Sequence, residues 1–314
     1  MTVAEEARPR LEPPTVLPAE RVRKRRRRQD LAGYVFLLPW FGGVLLTFVP
    51  FCISLYLAFT DYDLLTPPKF TGLDNITQML NDTKLHNSLV VTFTYTFVSV
   101  PLSLAAALGV AVMLNRGMRG LPLYRSIYYL PSLLGGSVAI VMLWRAIFGA
   151  DGIVNHVLGL FGVEAGSWIQ NPDTAMGVLI SLQVWTFGSP MVIFLAALRQ
   201  VPQELYEAAA VDGARKWRRF VSITMPMISP VIFFNLVLSL IGALQTFTQG
   251  FVMSNGTGGP AGSTMFYNLY LYQQGFTNFN MGYASAMAWL LLLIIAAFTG
   301  INFFAQKYWV HYES

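Results

Sequence analysis

Three stretches of this chain carry no formally charged side chain at all: Tyr34–Thr60, Asn87–Asn115 and Phe220–Gln306. A bilayer hydrocarbon core about 30 Å thick takes roughly 20 apolar residues as helix. Helices and closed barrels are the only backbone forms that satisfy their own polar groups there. The first two runs are each long enough for one crossing, and the third for two with a connection between them. Asp, Glu, Lys and Arg make up only 12% of the 314 residues, about half the ~25% of a soluble domain. Too little charge is present to cover a globular surface, so lipid must solvate much of it. The expected fold is all-α and polytopic, one large membrane domain.

Six spans are predicted, at about 34–60, 88–115, 126–144, 174–198, 225–252 and 283–304, within a membrane domain of residues 31–308. A basic tail, residues 1–30, precedes them. Its Pro- and Glu-rich beginning predicts disorder. Residues 309–314 form a short C-terminal tail. The first apolar run is too long, and lacks the small-residue cleavage pattern, for a secretory signal. Span three is short, and Pro131 with the Gly135-Gly136 pair predicts bending or close packing there. Residues 61–86 read as an exposed connection with one surface helix. Ile153–Phe161 is apolar but too short to cross, which predicts a helix lying in the interface. Ser254–Gly262, SNGTGGPAG, breaks the last apolar run. The aromatic series after it, Tyr267, Tyr270, Tyr272, Phe276 and Phe279, reads as an ordinary interface belt in preference to an external gate lining.

Six spans return the C-terminus to the side of the N-terminus, and the basic residues test that count. Of the 21 Lys and Arg, 18 fall in the N-terminal segment, Arg116–Arg125, Arg199–Arg219 and the tail, leaving Lys69, Lys84 and Arg145 for the opposite side. The positive-inside rule then sets both termini in the cytoplasm, with the 201–219 loop beside them. The arginine run before span one suits anionic headgroups better than nucleic acid, although the net charge is +5. Cys52 is the sole cysteine, so no internal disulfide forms, and three scattered His make no metal cluster.

The loop itself, VPQELYEAAAVDGARKWRRFVSITMPMISP, interrupts the apolar second half. Leu205, Ala208, Ala209 and Asp212 stand at helical offsets 0, 3, 4 and 7, with Glu204, Glu207 and Val211 on an adjoining stripe. The alanines favour helix and let another backbone come close. Gly213 is placed to bend the chain before the basic Lys216–Arg219 segment. Glu207 and Asp212 lack the pocket that acid–base chemistry needs, and no His or Cys is near to complete a metal site. The loop has the form of a rigid knob for docking, although solvated charge alone would give a similar composition.

Glu207–Pro226, EAAAVDGARKWRRFVSITMP, resembles the cytoplasmic loop shared by membrane subunits of bacterial ATP-binding-cassette importers. With Asp212-Gly213-Ala214, Phe220, Ile223 and Pro226 it is similar to the carbohydrate-uptake branch that includes the maltose and glycerol-3-phosphate transporters. Tyr129-Leu130-Pro131, Gly152–Asn155 with Trp168, and Gly258–Pro260 support the resemblance, which covers about 31–308. It implies a type I importer permease fold in the bacterial inner membrane. It further implies a second, different permease subunit, two ATP-binding subunits and an extracellular solute-binding protein, with ATP and Mg held by the ATPase subunits and no cofactor here. Glu207, Ala208, Ala209, Asp212, Gly213, Ala214, Arg215, Phe220 and Pro226 become the expected ATPase-coupling residues. No GxxxxGK[ST] occurs, so the ATPase is another chain.

A path for a sugar or oligosaccharide needs neutral hydrogen-bonding groups and flat aromatic faces. Gln183 and Trp185 in span four, and Asn235, Gln245, Thr246 and Gln249 in span five, answer that description, Gln245 and Gln249 by sharing a helix face. Interhelical adhesion accounts for the same amides equally well. Another small solute, such as glycerophosphate or a polyamine, is the alternative cargo. An intramembrane enzyme using Asp61 and Asp63, or a structural scaffold, are the readings of other classes.

Overall fold

A computed structural model describes the backbone of residues 19–117, 120–163 and 166–311, with side chains from residue 36 onward. Residues 1–18 of the predicted tail, Arg119 and residues 312–314 lie outside the described residues. The chain divides into two units, residues 1–54 and 55–314.

The described residues of the first unit belong to one helix, α1, Ala19–Leu57, helical already through residues 19–30 that the sequence assigned to the tail. Its stretch Phe36–Leu57 is apolar and has no buried residue. A helix apolar on every side is built for lipid or for another helix.

In the second unit a two-residue antiparallel pair, β1 (Thr60–Asp61) and β2 (Lys69–Phe70), leads to α2, Asp74–Asn81. There follow α3 (Thr83–Leu114), α4 (Leu121–Leu134), α5 (Val138–Ile147), α6 (Ile153–Gly159), α7 (Pro172–Trp185), α8 (Gly188–Gln200) and α9 (Gln203–Val211). The rest is α10 (Lys216–Arg219), a π turn at Phe220–Thr224, α11 (Met225–Leu244), α12 (Thr248–Ser254), α13 (Tyr267–Tyr272) and α14 (Met281–Trp309). The short α2 and α6 fall where a surface and an interfacial helix were expected.

Four helical stretches among the described residues are long and apolar enough to cross a membrane, Phe36–Leu57, Thr83–Leu114, Lys216–Ser254 and Met281–Trp309. Two bent pairs raise the number to six. The run 126–144 is not a straight span: α4 and α5 meet at 99°. The run 174–198 is broken between α7 and α8 by 42°. Span five falls within Lys216–Ser254 as expected, with a local break that the sequence did not show: α11 ends at Leu244 and α12 starts afresh at Thr248.

The bends share a physical cause. A Cβ on Gly135, at the α4 end, would lie 2.1 Å from the Thr186 methyl in the α7–α8 break, and one on Gly188 would lie 2.3 Å from the Tyr128 carbonyl of α4. Each corner is therefore filled by the other, and only hydrogen fits at the two contacts. Ser137 restarts the chain by accepting the Ile140 amide with its hydroxyl.

The centre of the unit is α3, which packs against α7, α8, α11 and α13. Its Ala107 and Ala111 are fully buried, letting neighbouring backbones approach, and Leu179, Leu182, Met191, Phe194, Leu195 and Ile228 complete the core. In hydrocarbon such packing draws on van der Waals contact and not on expulsion of water.

Gly188→Ala and Gly135→Ala should each lower the stability of the purified chain by about 1–3 kcal/mol, the usual cost of overpacking. Gly177→Ala, whose added methyl meets nothing within 4 Å, should be neutral or stabilising by up to about 1 kcal/mol. Thermal unfolding in detergent measures both.

Candidate functional site

The predicted docking knob is a helix with one end finished by a glycine. In α9 no residue is buried. Tyr206 and Ala209 are half-buried, and Tyr206 Oη lies 2.8 Å from Thr224 Oγ1, tying the helix to the π turn. Glu204, Leu205, Glu207, Ala208 and Val211 face outward, and Val211 is 89% exposed. The Gly213 amide donates to Ala210 O (3.1 Å) and the Ala214 amide to Ala209 O (2.9 Å), the paired bonds of a Schellman end. Gly213 supplies its left-handed φ of 73°. Arg219 Nε donates to Ala214 O at 2.7 Å, locking the turn onto α10.

From Lys216 the chain is helical without interruption into α11. Pro226 has no amide hydrogen to give, and just before it the helix widens into the π turn, where the Met225 amide reaches back to Phe220 O. Of the coupling residues expected from sequence, Glu207 to Arg215 stand on this helix and its hydrogen-bonded turn, while Phe220 and Pro226 are half-buried in the π turn and α11 that follow.

The six predicted path residues are less unified. Gln183 Oε1 accepts from the Tyr95 hydroxyl at 3.2 Å, and that hydroxyl also lies beside Thr246, so these two converge on α3. Trp185 lies against Trp144, ring centres 5.0 Å apart and planes tilted by 40°. Asn235 spends its amide on Val231 O of its own helix. Gln245 is exposed at the α11 end, and the break at Thr246–Phe247 places Gln249 on a separate helix, so the shared face expected for Gln245 and Gln249 does not form. The three residues 245–247 cannot carry helical spacing across a helix end.

What the sequence reading passed over is a polar stripe on α3. Ser88, Thr92, Tyr95, Thr96, Ser99 and Ser103 are all buried and recur at helical spacing within an apolar run. That periodicity was available in the sequence and is the signal for an inward polar face.

The aromatic series is also more than a belt. Tyr267 and Tyr270 are buried. The Tyr267 hydroxyl donates to Met287 O and its amide to Thr92 Oγ1, both at 2.8 Å. Asp82 ties three elements together. Its Oδ1 accepts the Lys84 and Leu85 amides (2.9 and 3.2 Å), capping α3, and its Oδ2 accepts the hydroxyls of Tyr270 (2.6 Å) and Tyr283 (2.7 Å) from α13 and α14. Burial pushes the carboxyl upward, but the two tyrosine and two amide donors outweigh it and hold Asp82 below the usual carboxylate range. Arg145, at the end of α5, donates to Val252 O (3.3 Å) and to Asn255 Oδ1, fastening α5 to the end of α12. Among the described residues no group of three or more His, Cys, Asp or Glu could hold a metal ion.

This architecture is that of an all-α, multi-pass membrane permease of the type I ABC-importer fold. It overlays the crystal structure of a bacterial alginate ABC transporter, in complex with a periplasmic protein bound to alginate pentasaccharide, with a TM-score of 0.74. That overlay covers 89% of this chain and 95% of the other at 22% identity, and it shows the fold. Residues 85–308 match the family described as "Binding-protein-dependent transport system inner membrane component". The chain is 50% identical over 291 residues to the "Probable ABC transporter permease protein YesP" of Bacillus subtilis, covering 92% of this chain and 94% of that protein. It is 32% identical to the "Lactose transport system permease protein LacF" of Rhizobium radiobacter, covering 90% and 96%. The chain belongs to the family of binding-protein-dependent transport system inner membrane components, and is a permease acting with partner proteins in an ABC importer.

Asp82→Asn keeps an N-cap side chain but takes the charge away from both tyrosines, whereas Asp82→Ala removes the cap as well, worth about 1 kcal/mol. The thermal midpoint should fall in the order wild type, Asp82→Asn, Asp82→Ala, with Tyr270→Phe near Asp82→Asn. Because the folded-state pKa is depressed, the Asp82 contribution is complete above the unfolded carboxylate value of about 3.9 and is lost as pH falls below it. Acid titration of wild type against Asp82→Asn should converge there.

Proposed function

We propose that this chain forms, with a second permease subunit, the pathway for ATP-driven uptake of a sugar or oligosaccharide across the bacterial inner membrane, with both termini cytoplasmic. The observation that carries the reading is α9: an exposed helix whose glycine-finished end turns through residues 212–215, held by the Arg219 bond to Ala214 O, into a run that is helical from Lys216 through the π turn into α11. A nucleotide-binding subunit that seats α9 in a surface cleft displaces α11 when it closes, because the short turn between them is pinned by hydrogen bonds on both sides. That is the two-state mechanical element a transport cycle needs.

In this reading Glu207 contacts the cleft, while Ala208 and Ala209 allow close approach. Gly213 and Ala214 form the end of the knob, with Asp212, Arg215, Phe220 and Pro226 in its support. ATP and Mg belong to two ATP-binding subunits, and an extracellular binding protein delivers the solute. The buried hydroxyls of α3, with Gln183 and Thr246 at Tyr95, are neutral groups of the kind a sugar path calls for. Two relatives bear on the substrate class, one named for lactose and one crystallised with an alginate-bound partner. The sidedness rests on the Lys and Arg bias.

The test is co-purification of two ATP-binding chains and binding-protein-dependent ATP hydrolysis in proteoliposomes, screened against a panel of sugars. Gly213→Pro forces φ near −65° where 73° is needed. It should cut sugar-stimulated hydrolysis by about tenfold or more, and Glu207→Ala by several-fold, while both chains still insert. Undiminished uptake in both variants would remove α9 from the coupling role. Gln245→Ala should shift the sugar concentration for half-maximal stimulation, and an unchanged profile across the panel would strike Gln245 from the path.

A further inference from the structure

A second face of α3 is open. Ala105, Leu108, Gly109 and Val112 stand at offsets 0, 3, 4 and 7, a single stripe of the helix, with Arg116 in the turn just past its end. Facing it across a groove of about 500 Å³ are Lys216, Trp217 and Phe220. The groove floor is apolar and low, because Ala105 and Gly109 project little, and a Cβ on Gly109 would meet nothing within 4 Å. One wall is made by the Trp217 and Phe220 rings, 5.6 Å apart, and Trp217 is 74% exposed. Its mouth carries two cations and no acid. Neither cationic side chain forms a hydrogen bond or ion pair with the described residues.

We propose that this groove binds an anionic glycerophospholipid, its phosphate held between Arg116 and Lys216 and one acyl chain laid along the Ala105–Gly109 strip. Three features select this occupant. The cations sit just past the last apolar turn of α3, at headgroup depth, and basic pockets between membrane helices at that depth hold anionic headgroups. From Ala105 to the helix end at Leu114 the strip rises about 14 Å, close to the half-thickness of a ~30 Å hydrocarbon core, so headgroup and chain reach their own environments together. An exposed Trp at the rim suits the water–lipid boundary. A helix from a partner subunit would also fit against small residues four apart, but it would have to bring its own acids to neutralise Arg116 and Lys216. Because Lys216 opens the helical run from the knob to α11, a bound lipid would bridge that run to α3. The inference stands whether or not α9 couples to an ATPase.

The experiment is native mass spectrometry of the delipidated full-length chain, with any subunits that accompany it, titrated with phosphatidylglycerol, phosphatidylcholine or soluble glycerol phosphate. Wild type should retain phosphatidylglycerol in preference to phosphatidylcholine, and millimolar glycerol phosphate should not displace it. Arg116→Gln with Lys216→Gln should weaken phosphatidylglycerol binding by about tenfold or more, with phosphatidylcholine unaffected. The charge-preserving pair Arg116→Lys and Lys216→Arg should restore most of it. Gly109→Leu should block the chain without lowering the thermal midpoint, which separates loss of the site from loss of the fold. Equal phosphatidylglycerol binding in wild type, the Gln pair and Gly109→Leu would overturn the proposal. So would full displacement by glycerol phosphate, which would make the groove a soluble-phosphate site. A photoreactive side chain at position 109 that couples to another protein subunit in the intact membrane, and not to lipid, would overturn it as well.

Discussion

Inside hydrocarbon an apolar side chain gains little by turning from lipid toward another helix, so what holds membrane helices in place is close contact and paired polar groups. In this chain both are concentrated on α3. Ala107 and Ala111 let neighbouring backbones approach, and the buried hydroxyl stripe of the same helix supplies bonds that run outward to other elements. Thr92 takes the Tyr267 amide and Tyr95 reaches Gln183. The bent pair α7–α8 lies directly on that helix, and α4 packs on α8 in turn.

The two ends of the molecule use the same logic with different chemistry. At one end Asp82 draws α3, α13 and α14 onto a single carboxylate, and Arg145 fastens α5 to the end of α12. At the other, the finish of α9 is almost all backbone: two Schellman bonds, a glycine in the left-handed region, and one guanidinium on a loop carbonyl. A charged knot rich in side chains suits an element that must hold several helices together. A backbone-capped helix with small outward residues suits a surface that another protein must approach closely. The proposed lipid groove lies between these modes, with an apolar floor inside the bilayer and two cations at its edge.

Much of the candidate site was legible along the chain, since the signals involved are local. The Glu207–Gly213 helix and its glycine end depend on helix propensity and one φ value, and they form where the pattern placed them. Other features were hidden for physical reasons. The Gln245–Gln249 pairing failed because a helix end at Gln245 leaves no periodicity in composition to announce it. Tyr267 and Tyr270 resembled an interface belt because buried and interfacial tyrosines look alike until their hydroxyls find acceptors, here Met287 O and Asp82. Asp82 itself read as one more loop carboxylate, its partners lying 188 and 201 residues away.

By itself the sequence determined that this protein lives in a membrane, that it offers up to six apolar crossings, and that one amphipathic loop breaks the second half. These follow from charge counts and spacings within single segments, which lipid and backbone geometry interpret without reference to the rest of the chain. Only the tertiary structure decided that span four bends, by 42°, that the bend or close packing expected of span three is a 99° corner, that α13 is packed inward, and that Arg116 and Lys216 share a groove. Those outcomes depend on which distant atoms meet, such as Gly135 with Thr186 or Gly188 with Tyr128, and a contact of that kind leaves no periodic trace in either of the segments that make it.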